Sequence, residues 1–179
     1  MVEKKLLTLA CAAGILACGA CFLPPLPEHQ PPPLPPRLSL QGIQSIQVSV
    51  TNASESHHLN PTDLAQSVIQ SINEQATETG VSAYDQRYAR DAVLEIIVLS
   101  ESATPSTTSD KKVSFMIGIT ATLTRQDGAV IWRETDAKYP FSYNLTSDRS
   151  ADTWQNAFLR TWLTNMLGTR LVHRMFRGR

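Results

Sequence analysis

The chain has 179 residues, 42% of them hydrophobic and 18% charged, with 16 Lys and Arg balanced by 16 Asp and Glu. That composition fits one globular domain. All three cysteines, Cys11, Cys18 and Cys21, fall near the start, so the rest of the chain forms neither a disulfide nor a thiolate metal site. Beyond Cys21, zinc fingers, redox CxxC motifs and cysteine nucleophiles are excluded. No 20-residue apolar run follows that would span a bilayer as a helix.

The N-terminus reads as an export signal. Lys4 and Lys5 form a charged region and Leu6 to Ala17 a 12-residue apolar one, the right length for a signal peptide over residues 1–17. Ile15-Leu16-Ala17-Cys18-Gly19 follows and resembles the lipobox of bacterial lipoproteins, in which the cysteine is acylated before cleavage. Cys18 is the expected lipidation site. Cys21, after Gly19-Ala20, is the alternative, with Cys18 standing where the pattern wants Leu. An ordinary secretory signal with incidental cysteines is the plainer reading. By the resemblance, several acyl chains would tether the mature protein, since stable anchoring takes more than one. Gly19 rather than Asp after the cysteine then implies the outer membrane, with the protein facing the periplasm. Processing at Cys18 leaves 14 basic and 15 acidic groups. Such a near-neutral chain has no long-range field to concentrate a polyanion, so no nucleic-acid partner is expected.

Residues 18–37 are the expected tether. Residues 24–36 hold eight of the eleven prolines, and each proline fixes φ and lacks an N–H, which favours polyproline II. At ~3.1 Å per residue, Phe22 to Arg37 would reach about 50 Å from the lipid. A proline-motif ligand for a partner is the other use of such a stretch.

Residues 38–179 form the expected folded domain. Ile46, Val48 and Val50 alternate with Gln47 and Ser49, a half-buried strand. Asn60-Pro61-Thr62-Asp63 places a cap, a first-turn proline and a first-turn acid ahead of Leu64, Val68, Ile69 and Ile72, an amphipathic helix over Pro61 to Ala76 that ends near Gly80. The apolar run Ala92 to Leu99 suits a central strand, and the Ser/Thr-rich Ser100 to Lys112 reads as a loop.

Val113, Phe115, Ile117, Ile119, Ala121 and Leu123 then occupy alternate positions, the strongest strand pattern in the chain. Asp127-Gly128 marks a type I′ hairpin turn into Ala129-Val130-Ile131-Trp132. A bend is expected near Pro140, and because proline cannot donate to a ladder, that strand end belongs at an edge. Asp148, Ser150 and Asp152 offer caps for a last helix carrying Trp154, Phe158, Leu159, Trp162, Leu163 and Met166. Leu171, Val172, Met175 and Phe176 project to a different side, which implies a kink or break at Gly168. The order β-α-β-β-β-α predicts an α+β, two-layer sandwich with two helices packed on a mostly antiparallel four-stranded sheet.

Motifs for catalysis are absent: no G-x-S-x-G, no Walker loop, no H-E-x-x-H and no calcium loop. No enzyme activity, cofactor or metal is expected. His57-His58 lacks a third ligand and reads as solvated loop, and Asp85, Asp91 and Glu95 read as ion-paired or solvated carboxylates. Two basic features could bind phosphate. One is Lys111, Lys112 and Arg125 at the two ends of the long strand, the candidate lipid-phosphate contacts. The other is the tail Arg170, Arg174, Arg177 and Arg179, whose plainer role is to complement the helix C-terminus.

A lipobox-like start, then Ile46-Gln47-Val48-Ser49-Val50 leading to Asn52-Ala53-Ser54, a helix, Asp91-Ala92-Val93-Leu94, and a hairpin closing through Gly128-Ala129-Val130-Ile131-Trp132 together resemble the lipopolysaccharide-assembly lipoproteins of the LptE type, over roughly residues 43–176. Ser49-Val50-Thr51 departs from the family's bulkier or proline-containing strand end, and the long proline tether is atypical. The resemblance implies a non-enzymatic protein that plugs the β-barrel lipopolysaccharide translocon of the outer membrane, helps it assemble, and assists lipopolysaccharide insertion at the cell surface. The rival expectation is a periplasmic lipoprotein that activates a cell-wall synthase or serves a lipid-transport ABC system, which the long spacer favours. A lipoprotein enzyme is the third class; it would need a deep pocket holding a perturbed acid or base.

Overall fold

The computed structural model describes residues 40–84, 90–105, 112–144 and 154–177. The chain divides into two compact units, Met1–Pro32 and Pro33–Arg179, and the described residues all belong to the second. Cys18, Cys21, the proline tether, Asp85, Lys111, the caps Asp148, Ser150 and Asp152, and Arg179 lie outside the described residues. Among the described residues no helix is long and apolar enough to cross a membrane.

The elements in chain order are β1 (Ser45–Asn52), α1 (Pro61–Glu74), α2 (Ala76–Thr79), β2 (Ser82–Tyr84), β3 (Ala92–Pro105), β4 (Lys112–Arg125), β5 (Val130–Asn144) and α3 (Ala157–Arg177). The described strands form one five-stranded sheet in the order β2-β1-β3-β4-β5. β1 is parallel to both β2 and β3, whereas β3, β4 and β5 run antiparallel. The α+β class holds, but the sheet is mixed and has a strand more than expected. β2 escapes a sequence reading because three residues are too few to show a period.

Alternation decides which side chains meet the helices. Ile46 and Val48 of β1, Leu94, Ile96 and Val98 of β3, and the odd positions Val113 to Leu123 of β4 are buried in one core with Leu64, Val68 and Ile72 of α1 and Leu163, Leu167 and Leu171 of α3. Each such side chain stabilises the fold by roughly 1.5–3 kcal/mol. β3 does not stop at Leu99. It slips register between Val98 and Ser100 and continues through Pro105, with Ser102 opposite Met116 and Thr104 opposite Ser114. The residues Ser100 to Pro105 read as loop because their side chains are mostly polar, yet one face of this sheet is bare, and polar side chains suit it.

The hairpin turn also differs. Gly128 alone takes a positive φ of 87°, its N–H donates to the Arg125 carbonyl at 2.9 Å, and the Arg125 N–H donates to the Ala129 carbonyl at 2.8 Å. This is a type I turn closed by a left-handed glycine, not type I′. β5 runs straight past Pro140 to Asn144 as an edge strand, as the proline required. The irregularity sits earlier, between the partners of Ile119 and Ala121, where Asp136 has a φ of 46°. That bulge resets the alternation, so Glu134 and Tyr139 both turn inward and are buried.

Asn60 caps α1 as its residue type demands: its side-chain oxygen accepts from the Thr62 N–H at 2.8 Å, with Pro61 in the first turn. α1 stops at Glu74, two residues before the expected end, and after the short α2 Gly80 caps the chain in the left-handed region. α3 is continuous over 21 residues and passes through Gly168 without a break. Its buried residues fall in two rows four apart, Leu159-Leu163-Leu167-Leu171-Met175 and Thr164-Gly168-Val172-Phe176. Exposed Met166 belongs to neither row, and counting it as core created the apparent change of side.

Candidate interaction site

Both long helices cover the same side of the sheet, which among the described residues leaves the other side open. The register puts Ser49 and Thr51 of β1, Thr120 and Thr122 of β4, and Ser142 of β5 on that open face. Within it stand Ile97, Leu99 and Met116, which are 38%, 41% and 40% exposed. Its charges are Glu95 against Lys112, Arg133 and Lys138, an excess of cations. Gly118 lies at its middle, where a Cβ would come 2.4 Å from the Ser100 hydroxyl. The small residue lets Ser100 lie flat across the sheet.

Three carboxylates fix the margins of the domain. Asp91 accepts from the backbone N–H groups of Gln44 and Ser45, each at 2.9 Å, and from the Ser45 hydroxyl at 3.0 Å. The Gln44 N–H, the Ser45 N–H and the Ser45 hydroxyl, in that order, hold its carboxyl below the usual range against a small opposing effect of burial. Glu101, turned toward the helices by the slip in β3, gathers the loop that precedes α1. Its Oε1 accepts from the Asn52 amide and from the Ser54 hydroxyl at 2.8 Å, and its Oε2 accepts from the N–H groups of His58 at 2.8 Å and Leu59 at 3.1 Å. His58 stacks on Trp154, with ring centroids 4.5 Å apart and planes 10° from parallel.

Glu134 is the third. Tyr139 donates its phenol to Oε2, and Arg174 donates to both oxygens at 3.2 and 3.3 Å while lying 4.6 Å above the Tyr139 ring. Burial, then the bond to Glu134 and its charge, raises the Tyr139 phenol well above the usual range. Burial opposes the charge on Arg174, but Tyr139 and Glu134 outweigh it and raise its pKa. One turn earlier, Arg170 donates to the Pro140 carbonyl at 2.7 Å and lies 4.9 Å over Phe141. These two arginines thus clamp α3 onto edge strand β5.

The other candidate residues do not converge. Lys112 is exposed at the start of β4 and Arg125 closes its far end, thirteen steps away, or about 44 Å at ~3.4 Å per residue. Arg125 donates to the Gln41 carbonyl at 3.3 Å. His57 occupies a left-handed position in the loop, and no group of three or more metal-ligating side chains occurs among the described residues.

A polar cleft of about 530 Å³ opens between the first halves of α1 and α3. His58, in the loop before α1, also lines it. Asp63 and Gln66 of α1 line one wall, and Arg160, Thr161 and Asn165 of α3 the other. Sequence reading missed it, because nothing in a single helix says which polar stripe will face another.

No family model and no curated protein matches the chain. Solved structures do. A minor lipoprotein from Acinetobacter baumannii is 12% identical, with 74% of this chain and 90% of that one covered at a TM-score of 0.45. A PelC dodecamer from Paraburkholderia phytofirmans is 15% identical, with 74% and 86% covered at 0.46. A DUF330 protein from Xanthomonas campestris is 16% identical, with 74% and 84% covered at 0.49. Bacterial lipoproteins are therefore among the solved structures this chain is similar to.

Proposed function

We propose that this chain is an outer-membrane lipoprotein, anchored through acyl groups on Cys18 and facing the periplasm, that acts without catalysis. In this reading its domain plugs and helps assemble the β-barrel lipopolysaccharide translocon and assists lipopolysaccharide insertion. The observation that carries the reading is the bare sheet face. A face meant only for water calls for polar side chains, yet Ile97, Leu99 and Met116 are exposed among its hydroxyls. The hydroxyls suit a partner that is itself polar and wet, as the inside of a barrel is. Asp91, Glu101 and Glu134 support the non-enzymatic part, since each is tied to structural donors. The lipobox-like sequence around Cys18 supports the anchor.

The test is site-specific photocrosslinking in intact membranes from Ile97 and Met116, together with intact mass of the mature protein. Adducts with a heat-modifiable barrel and a mass carrying acyl groups are expected. A mass without acyl groups overturns the anchor. Adducts confined to an inner-membrane synthase or permease overturn the plug and select the rival reading. The proline-rich stretch favours that rival, because ~50 Å of spacer suits reach across the periplasm.

A further inference from the structure

The cleft between α1 and α3 has a chemistry of its own. Its wall charges, Asp63 and Arg160, cancel, so it has no net field to select an anion or a cation. What remains is hydrogen-bonding capacity: Gln66 and Asn165 each present both donors and an acceptor, and Thr161 presents a hydroxyl. None of these side chains, nor Asp63 or Arg160, makes a hydrogen bond or ion pair among the described residues.

One lining group is preorganised. Glu101 holds the His58 and Leu59 N–H groups and Trp154 backs the His58 ring, so a flat ring is fixed beside the amides. At about 530 Å³ the cleft is within the ~300–1,000 Å³ range of small-ligand sites but more polar than most of them. A fixed planar ring, paired amides and a balanced charge match a ligand with many hydroxyls, ring C–H faces and no net charge.

We propose that this cleft binds a short run of neutral sugar rings, with Gln66, Thr161 and Asn165 reading hydroxyls and His58 flanking a ring face. The site does not depend on the barrel reading. Such a glycan could come from lipopolysaccharide core or from the cell wall, and the experiment separates the two.

Full-length lipoprotein, held in a zwitterionic detergent without a sugar headgroup, is titrated by NMR with three probes. These are a dephosphorylated hexose–heptose core oligosaccharide freed of its acidic keto-sugars, a peptidoglycan tetrasaccharide whose lactyl carboxyls are amidated, and inorganic phosphate. Saturable shifts at His58, Gln66, Thr161 and Asn165 with either glycan are expected, and the glycan that produces them names the source. Gln66→Ala and Asn165→Ala, both at exposed positions, should each weaken binding about tenfold with thermal unfolding unchanged, the effect of one hydrogen bond worth ~1.4 kcal/mol. Thr161→Val is the further variant, expected to act in the same direction. Shifts with neither glycan, binding of phosphate alone, or affinity unmoved by all three substitutions overturns the proposal. Barrel crosslinks that fail leave the cleft standing, and a cleft that fails leaves the barrel reading standing.

Discussion

Gly168 and Ser67 mark the closest approach of α3 to α1: a Cβ on Gly168 would stand 2.4 Å from the Ser67 hydroxyl, 3.1 Å from its Cβ and 3.2 Å from its backbone carbon. The hydroxyl can rotate away, but the Cβ and backbone cannot. Gly168→Ala therefore forces the helices apart by tenths of an ångström, at ~1–3 kcal/mol for overpacking against ~1 kcal/mol gained in helix propensity. A net loss of about 1 kcal/mol is expected in chemical denaturation. In a Ser67→Gly background the same substitution should cost less, because the Cβ that cannot move aside is gone. A double-mutant cycle showing no coupling contradicts this account.

Glu101 serves four donors, so Glu101→Ala strands the Asn52 amide, the Ser54 hydroxyl and the His58 and Leu59 N–H groups at once. Each part-buried donor left unpaired costs ~1–3 kcal/mol unless water reaches it. A loss of about 2–4 kcal/mol is expected, with faster amide exchange at His58 and Leu59. Trp154 fluorescence should change as the His58 stack loosens. Unchanged exchange at both amides would mean that the loop is held by something else.

What a single sequence could show divides along a physical line. The Asn60 cap, the β4 alternation, the edge position of Pro140 and the α1 face are local patterns, fixed by residue type and spacing. Misreadings cluster where a bulge or a neighbour resets the phase. The slip after Val98 turns Glu101 inward, and the bulge at Asp136 does the same for Glu134. Neither the part-buried Glu101 nor the buried Glu134 looks inward-facing in sequence, since strand alternation has period two only while the register holds. Gly168 stands out within the last helix, but its role depends on Ser67, 101 residues away. The cleft depends likewise on two helices meeting. The one signal available for it was the polar stripe Asp63, Gln66 and Gln70 along α1.

The lowered carboxyl of Asp91 gives an acid limb to stability. Its ionised form is favoured in the folded state by the Gln44 and Ser45 donors, so its contribution is full well above pH 3.8 and is lost as pH falls below that toward the folded value. Asp91→Asn should flatten this limb while leaving stability between pH 7 and 9 with the same slope. Equal acid slopes in the two proteins would assign the effect to other carboxylates.

Tyr139 predicts the alkaline counterpart. Its neutral phenol is favoured by the fold, so stability is unaffected below about pH 10, where an unfolded tyrosine ionises, and declines as pH rises from there. Tyr139→Phe should remove that decline. It also leaves Glu134 with Arg174 as its remaining partner, at a cost near neutral pH of about 1–2 kcal/mol for one hydrogen bond to a charged group. Ultraviolet titration of the wild type should show one tyrosine ionising only with unfolding. A Tyr139 that titrates with the exposed phenols would refute the buried bond.

The open face separates folding from docking. Ile97 and Met116 are part-exposed and point away from the core, so Ile97→Asp or Met116→Asp removes little buried area, and stability should move by no more than ~1 kcal/mol. If that face is where the partner sits, each aspartate must be desolvated on binding, and recovery of the partner should fall by tenfold or more. Leu163→Ala is the opposite control: it empties core space, should cost ~2–5 kcal/mol, and should lower recovery only in proportion to protein lost. Quantitative co-purification normalised to folded lipoprotein distinguishes the two. Normal recovery with both aspartates in place would move the contact surface elsewhere on the domain, because a buried carboxylate facing apolar or hydroxyl surface is too costly for a tight interface to ignore.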